Sequence, residues 1–269
     1  MNLRPRLLIL IFALLVLHPW ILAHAQEENS QIPQTVERAR QDYLFQYANY
    51  TEAHKEYQTA KEAYQKFGTI VSQQEAIAKT KPVLILRAEI LRTHLQLLKV
   101  KLASQPDLEP ALKDAQFGKI EATQAFISTH KDNLQKTKSI SEVNAESQRL
   151  EREADAIQDL AYESLSFLLV GEAQELEIRT RTMLENTVKD VPEEDQAIKQ
   201  GASDVRRKLT SVRVALDGST DTILNFRVSQ STRMLKAYEQ VQKEMIGVKS
   251  SLQEAAQLVS EIVRSISNG

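Results

Sequence analysis

Few residues in this chain are suited to chemistry. Beyond the first 26 residues it has three histidines, His54, His94 and His130, no cysteine, and one acidic run, Glu193-Glu194-Asp195. Imidazoles and carboxylates would hold zinc or a carboxylate-bridged di-iron pair, at helical spacings such as HExxH or Glu-x-x-His. None of the three histidines stands at such a spacing, so each reads as a surface or seam-edge side chain. The acidic run could chelate a cation. A helix start explains it better, because it follows Pro192 and places carboxylates at the positive end of the helix macrodipole.

The other chemical signals are as sparse. The sequence has neither a glycine-rich phosphate loop nor a GxSxG elbow. Arg206-Arg207-Lys208 is a short basic group, and Glu194 and Asp204 nearby dilute its field, so it reads as one solvated helical turn. Asn49-Tyr50-Thr51 matches a glycosylation sequon, which inside a helical seam reads as coincidence. On these grounds no catalytic, cofactor-binding or metal-binding residue is assigned.

Tyrosine makes the one conspicuous pattern. Tyr43, Tyr50, Tyr57 and Tyr64 recur at steps of seven, and Val36 and Val71 extend the same position. Ala39, Gln46, Ala53, Ala60 and Phe67 form a second position, so together they compose a two-position seam. Such a stripe could be an aromatic platform for a ligand such as a sugar. Helical spacing favours packing instead, with ring bodies buried opposite small residues and hydroxyls at a wet edge.

Helices must position all of these residues. Glycine and proline number seven each in 269 residues, while Ala, Glu, Gln, Lys and Leu dominate, a composition that favours helix almost throughout. Strong breaks are expected near 104–110, with Asp107 as N-cap between two prolines, and near 189–193. Weaker breaks are expected near Gly68, at the capping box Ser139 to Glu142, and at Asp217-Gly218. The phase of Val205, Leu209, Val212, Leu216, Ser219, Ile223 and Phe226 runs straight across the last of these, as in one continuous helix.

Further apolar stripes need partners. Leu84, Ala88, Leu91, Leu95, Leu98 and Leu102 make one edge and Val83, Ile90 and Leu97 another, so this stretch should lie against two neighbours. Val241, Met245, Val248, Leu252, Ala255, Val259, Ile262 and Ile266 repeat the pattern near the C-terminus. The expected fold is all-α, an elongated antiparallel helical bundle of coiled-coil type with three to six long helices. One bundle domain should span 35–267, preceded by a short tail at 26–34.

The first 25 residues have the order of a cleaved secretory signal. Arg4 and Arg6 precede an apolar run at 7–17, then Pro19, with Ala23 and Ala25 before a cut ahead of Gln26. The run is shorter than the about 20 residues of a membrane helix. Cleavage leaves 269 minus 25, or 244, residues and removes two of 34 basic but none of 36 acidic side chains, giving 32 minus 36, a net charge of −4. That balance argues against nucleic acid, which asks for a basic face.

The expected product is a non-catalytic extracytoplasmic structural or protein-interaction protein, secreted or periplasmic, with no cofactor and an unidentified protein partner in the cell envelope or exterior. An amphipathic membrane-interacting or pore-forming protein is the alternative, supported by the apolar stretches at 82–86 and 164–171. A helical enzyme using scattered carboxylates is a third.

Overall fold

A computed structural model describes residues 31–189, 191–192, 195–228 and 234–268; the expected signal and its cleavage point lie outside them. Six helices make up the described chain: α1 (Gln31–Phe67), α2 (Ile70–Ala103), α3 (Pro110–Lys136), α4 (Ile140–Val188), α5 (Gln196–Val228) and α6 (Met234–Asn268). The fold is an all-α helical bundle. Helix α1 begins at Gln31, ahead of the expected start at 35; Pro33 fits in its first turn, where a missing N–H leaves no bond unmade.

Most of the expected breaks are chain turns. Gly68 separates α1 from α2 with φ +61°, and its N–H donates to the Tyr64 carbonyl at 2.9 Å. A side chain there would meet open space, so the cost of Gly68→Ala is the left-handed backbone alone, about 1 to 2 kcal/mol. Urea unfolding of Gly68→Ala is expected to show that loss. At the α3–α4 turn Ser139 Oγ accepts the Glu142 N–H at 3.2 Å, and the Glu142 carboxylate accepts the Lys138 N–H at 2.6 Å, a shifted form of the expected capping box. Asp195 Oδ1 accepts the Ile198 N–H at 3.2 Å, which makes it the cap of α5, while Glu193 and Glu194 lie outside the described residues.

Two expectations about breaks are corrected. Asp107 is not the cap of α3: the Glu109 carbonyl takes the first helical bonds, from Leu112 and Lys113, and Pro110 occupies the first position. Asp217-Gly218 is no break either, since α5 runs through it. Val205, Leu209, Val212, Leu216, Ser219 and Ile223 are all buried along one face, and that continuous stripe outweighs one glycine, which costs about 1 kcal/mol in a helix. Helix α5 ends at Val228 and α6 begins at Met234.

The chain divides into two compact units. The first holds the residues up to Val100 together with Phe117–Gln158; the second holds Lys101–Gln116 and the chain from Asp159 onward. The boundaries at 100, 116 and 158 therefore fall inside α2, α3 and α4.

In the first unit successive helices run antiparallel. Lys79 reaches Glu56 at 2.7 Å between α2 and α1, Lys99 reaches Glu121 at 2.6 Å between α2 and α3, and Arg149 lies 5.5 Å from the Phe126 ring between α4 and α3. Val83 and Ile90 pack among Tyr43, Tyr50 and Tyr57, while Leu84 on the other edge of α2 packs against Leu134 and Val143. The two apolar edges of α2 thus serve two neighbours, as their spacing implied. In the second unit α5 and α6 pack along one another through the stripe from Val205 to Ile223 and that from Val241 to Ile262. Tyr162 of α4 meets Tyr238 of α6 with ring centroids 5.4 Å apart. Glu177, 2% exposed, accepts from Arg181 at 2.6 Å and lies 3.6 Å from Arg213, so this buried carboxylate is paired across two helices.

Candidate functional site

The tyrosine stripe is core over most of its length. Tyr43, Tyr50 and Tyr57 are 5%, 3% and 5% exposed, with Ala39 and Ala60 buried beside them. Burial pushes the Tyr43 hydroxyl up to about 12, with a smaller contribution from Tyr47. His94 lies 5.5 Å from the Tyr43 ring, and His54 is inserted between Tyr50, at 5.5 Å, and Tyr57, at 6.1 Å. The seam then fails at its end: Tyr64 is half-exposed, and Phe67 and Val71, expected to continue it, stand in solvent.

The histidines also differ from expectation. His94 and His130 are buried, because α2 and α3 turn them inward instead of to an edge. Each helix of the first unit contributes to a polar group around His130. The His130 Nδ1 lies 3.3 Å from a Glu146 oxygen, and its Nε2 has no hydrogen-bond partner. Arg87 from α2 brings a buried guanidinium whose Nε and Nη2 also have none, and its charge is felt by Tyr50, Glu151 and His130. Burial lowers the Arg87 pKa, opposed by Tyr50 and Glu151. Arg87 and Glu146 escaped sequence reasoning, since nothing in their spacing distinguishes them from solvated charges. The signal that could have pointed to Arg87 is its place between the apolar Val83, Leu84, Ala88 and Ile90 of α2.

The charges singled out in the sequence are otherwise satisfied locally. Arg206 pairs with Glu185 at 2.7 Å, Arg207 with Asp204 at 2.6 Å and Lys208 with Glu254 at 2.5 Å. Thr51 of the sequon donates to the Tyr47 carbonyl at 2.9 Å within the helix. Among the described residues no three His, Asp or Glu side chains converge as a metal would require. The apolar stretches at 82–86 and 164–171 are largely core, with Val83, Leu84, Phe167, Leu168 and Val170 buried. No described helix is long and apolar enough to cross a membrane.

The surface feature that stands out is the end of the α1–α2 hairpin. Lys81 Nζ donates to the carbonyls of Gln135, at 2.5 Å, and Thr137, at 3.1 Å, so α3 ends level with Lys81. Residues 70–76 of α2 therefore continue past the α3–α4 turn, by about 10 Å at 1.5 Å per residue, with the end of α1 alongside. Around Gly68 at the tip, Phe67 is 63% exposed and Ile70 and Val71 are each 74% exposed. Where the overhang meets the α3–α4 turn there is a groove of about 320 Å³, lined by Ile77, Ala78, Pro82, Ile85 and Val143 among others. A larger hollow of about 560 Å³ follows one face of α4 from Ile178 to Thr187, and Arg179 within it is already paired with Glu175.

No protein-family profile matches the chain, and no curated protein or solved structure is significantly similar to it.

Proposed function

We propose that this is a non-catalytic, extracytoplasmic helical protein that works by offering a surface to a partner protein. The observation that carries the reading is the apolar tip: Phe67, Ile70 and Val71 are large, adjacent in the hairpin and exposed, and contiguous apolar surface of this kind marks interaction sites. The signal-like order of the first 25 residues supports placement outside the cytoplasm. The interior offers further support at Glu177, whose buried carboxylate is paired with Arg181 and Arg213 and so holds helices together.

The test is photo-crosslinking in the native host, with a photoreactive residue at Val71 and, for comparison, at exposed Glu153 on α4. One discrete crosslinked protein at Val71 and none at Glu153 is the expected result. Equal labelling at both positions, or none at Val71, defeats the reading. A second reading rests on the same side chains: Phe67, Ile70 and Val71, with Lys66 5.2 Å from the Phe67 ring, could enter a lipid surface. Capture of lipid instead of protein at Val71 would favour it.

A further inference from the structure

Ile70, Ile77, Leu84, Leu91 and Leu98 occupy one heptad position of α2. Leu84, Leu91 and Leu98 are buried, and Leu84 is covered by Leu134 of α3 and Val143 of α4. At the α3–α4 connection the covering helices have ended, and the same stripe emerges half-buried at Ile77 and, two turns on, 74% exposed at Ile70. The uncovered stretch is a continuation of the bundle core that lacks the helix to complete it.

The groove at the root of this stretch has a particular chemistry. Its apolar wall is Ile77, Pro82, Ile85 and Val143, and its only charged lining residues are Lys81 and Lys138, with no carboxylate among them. Lys81 is held by the carbonyls at the end of α3, whereas the Lys138 side chain is exposed. The nearest acid of the turn, Glu142, is turned to the Lys138 N–H, and Glu56 along the overhang is paired with Lys79. From 55 to 81 the two helices carry Lys55, Lys61, Lys66, Lys79 and Lys81 against Glu56, Glu62 and Glu75, five minus three, a net charge of +2. Pro82 adds a polar element, because it has no N–H to give the Ala78 carbonyl, and both residues line the groove.

Resting on the interaction reading above, and deepening it, we propose that the open face from Ile70 to Ile77, with the groove at its root, seats an amphipathic helix of a partner protein whose apolar face is bordered by carboxylates. The mode is a helix laid in an apolar groove, read through anchors at i, i+3, i+4 and i+7. It takes the place that longer α3 and α4 helices would have filled. The basic border selects against a second copy of this chain, which would bring the same positive surface, and in favour of an acidic helix.

The experiment uses the chain lacking residues 1–25, since the proposal concerns the protein after signal removal, and two fluorescein-labelled synthetic helices. Both carry leucines at i, i+3, i+4 and i+7; one is flanked by glutamates and the other by lysines. Anisotropy should show saturable binding of the acidic helix and binding at least about tenfold weaker for the basic one, tenfold being 1.4 kcal/mol. Ile70→Asp and Lys138→Glu should each weaken the acidic helix by at least about tenfold as well. Both side chains are exposed, so neither change disturbs the fold, and circular dichroism checks this. Equal affinity for the two helices, no saturable binding, or indifference to Ile70→Asp would each overturn the proposal. So would a dimer in sedimentation equilibrium that Ile70→Asp dissociates, which assigns the stripe to a second copy. If crosslinking at Val71 still captures one protein while the acidic helix fails, the interaction reading stands and only this partner chemistry is lost.

Discussion

Replacing Tyr50 and Tyr57 together by serine is expected to destabilise the first unit by several kcal/mol and to lower its melting temperature clearly. Both rings are almost wholly buried against Val83 and Ile90 of α2, and truncating a large buried aromatic costs about 3 to 5 kcal/mol. The two losses need not add, because His54 stacks on the Tyr50 ring and lies tilted against that of Tyr57, linking them. Tyr64→Ser is the comparison: its ring is 37% exposed, and its loss should stay below about 1 kcal/mol. Thermal melts of the three proteins decide the matter. A double variant that melts like the unaltered chain would mean that the stripe is a ligand platform after all.

Acidification should act through His130. Burial, reinforced by the Arg87 and Arg149 charges, holds its imidazole below the ordinary value and outweighs the Glu146 carboxylate that favours protonation. Above a pH of about 6.5 the ring is neutral in folded and unfolded chains alike, so this residue gives stability no slope. Below that pH the unfolded chain takes up a proton that the folded chain refuses, and stability falls by up to about 1.4 kcal/mol per pH unit until the lowered folded value is reached. Urea unfolding of the unaltered chain and of His130→Gln, at pH about 7.5 and about 5.5, isolates the effect, because contributions from other groups largely cancel in the difference. The unaltered chain should lose more stability between the two conditions. A steeper loss in His130→Gln would reverse the assigned direction.

Local chemistry made much of the fold legible. Gly68 with its positive φ, Ser139 with its cap and Asp195 at the start of α5 each act within a turn of chain, where residue type decides, although the start of α3 falls at Pro110 and not after Asp107. The buried stripes of α2, α5 and α6 were readable for a similar reason, since a long period averages over individual misfits. Register between helices is different in kind. That Tyr57 is buried while Phe67 and Val71 are exposed depends on which side chains a neighbouring helix brings alongside, here Val83 and Ile90 of α2 in the cluster that holds Tyr57, and no local pattern encodes that. His130 and Arg87 were obscured in the same way, because a polar side chain on a helix is buried or solvated according to the helices beside it.

The placement of the unit boundaries at 100, 116 and 158 bears on inheritance. Domains that travel between genes are joined by exposed linkers, so that one cut at each end releases a piece able to fold. Here every crossing lies within α2, α3 or α4, and the segment 101–116 of the second unit is inserted in the sequence of the first. Excising either unit would sever helical hydrogen bonds at three places and leave new, uncapped helix ends. Separating the two units therefore leaves α2, α3 and α4 each cut in two, and neither unit is a continuous stretch of chain that one cut at each end would release.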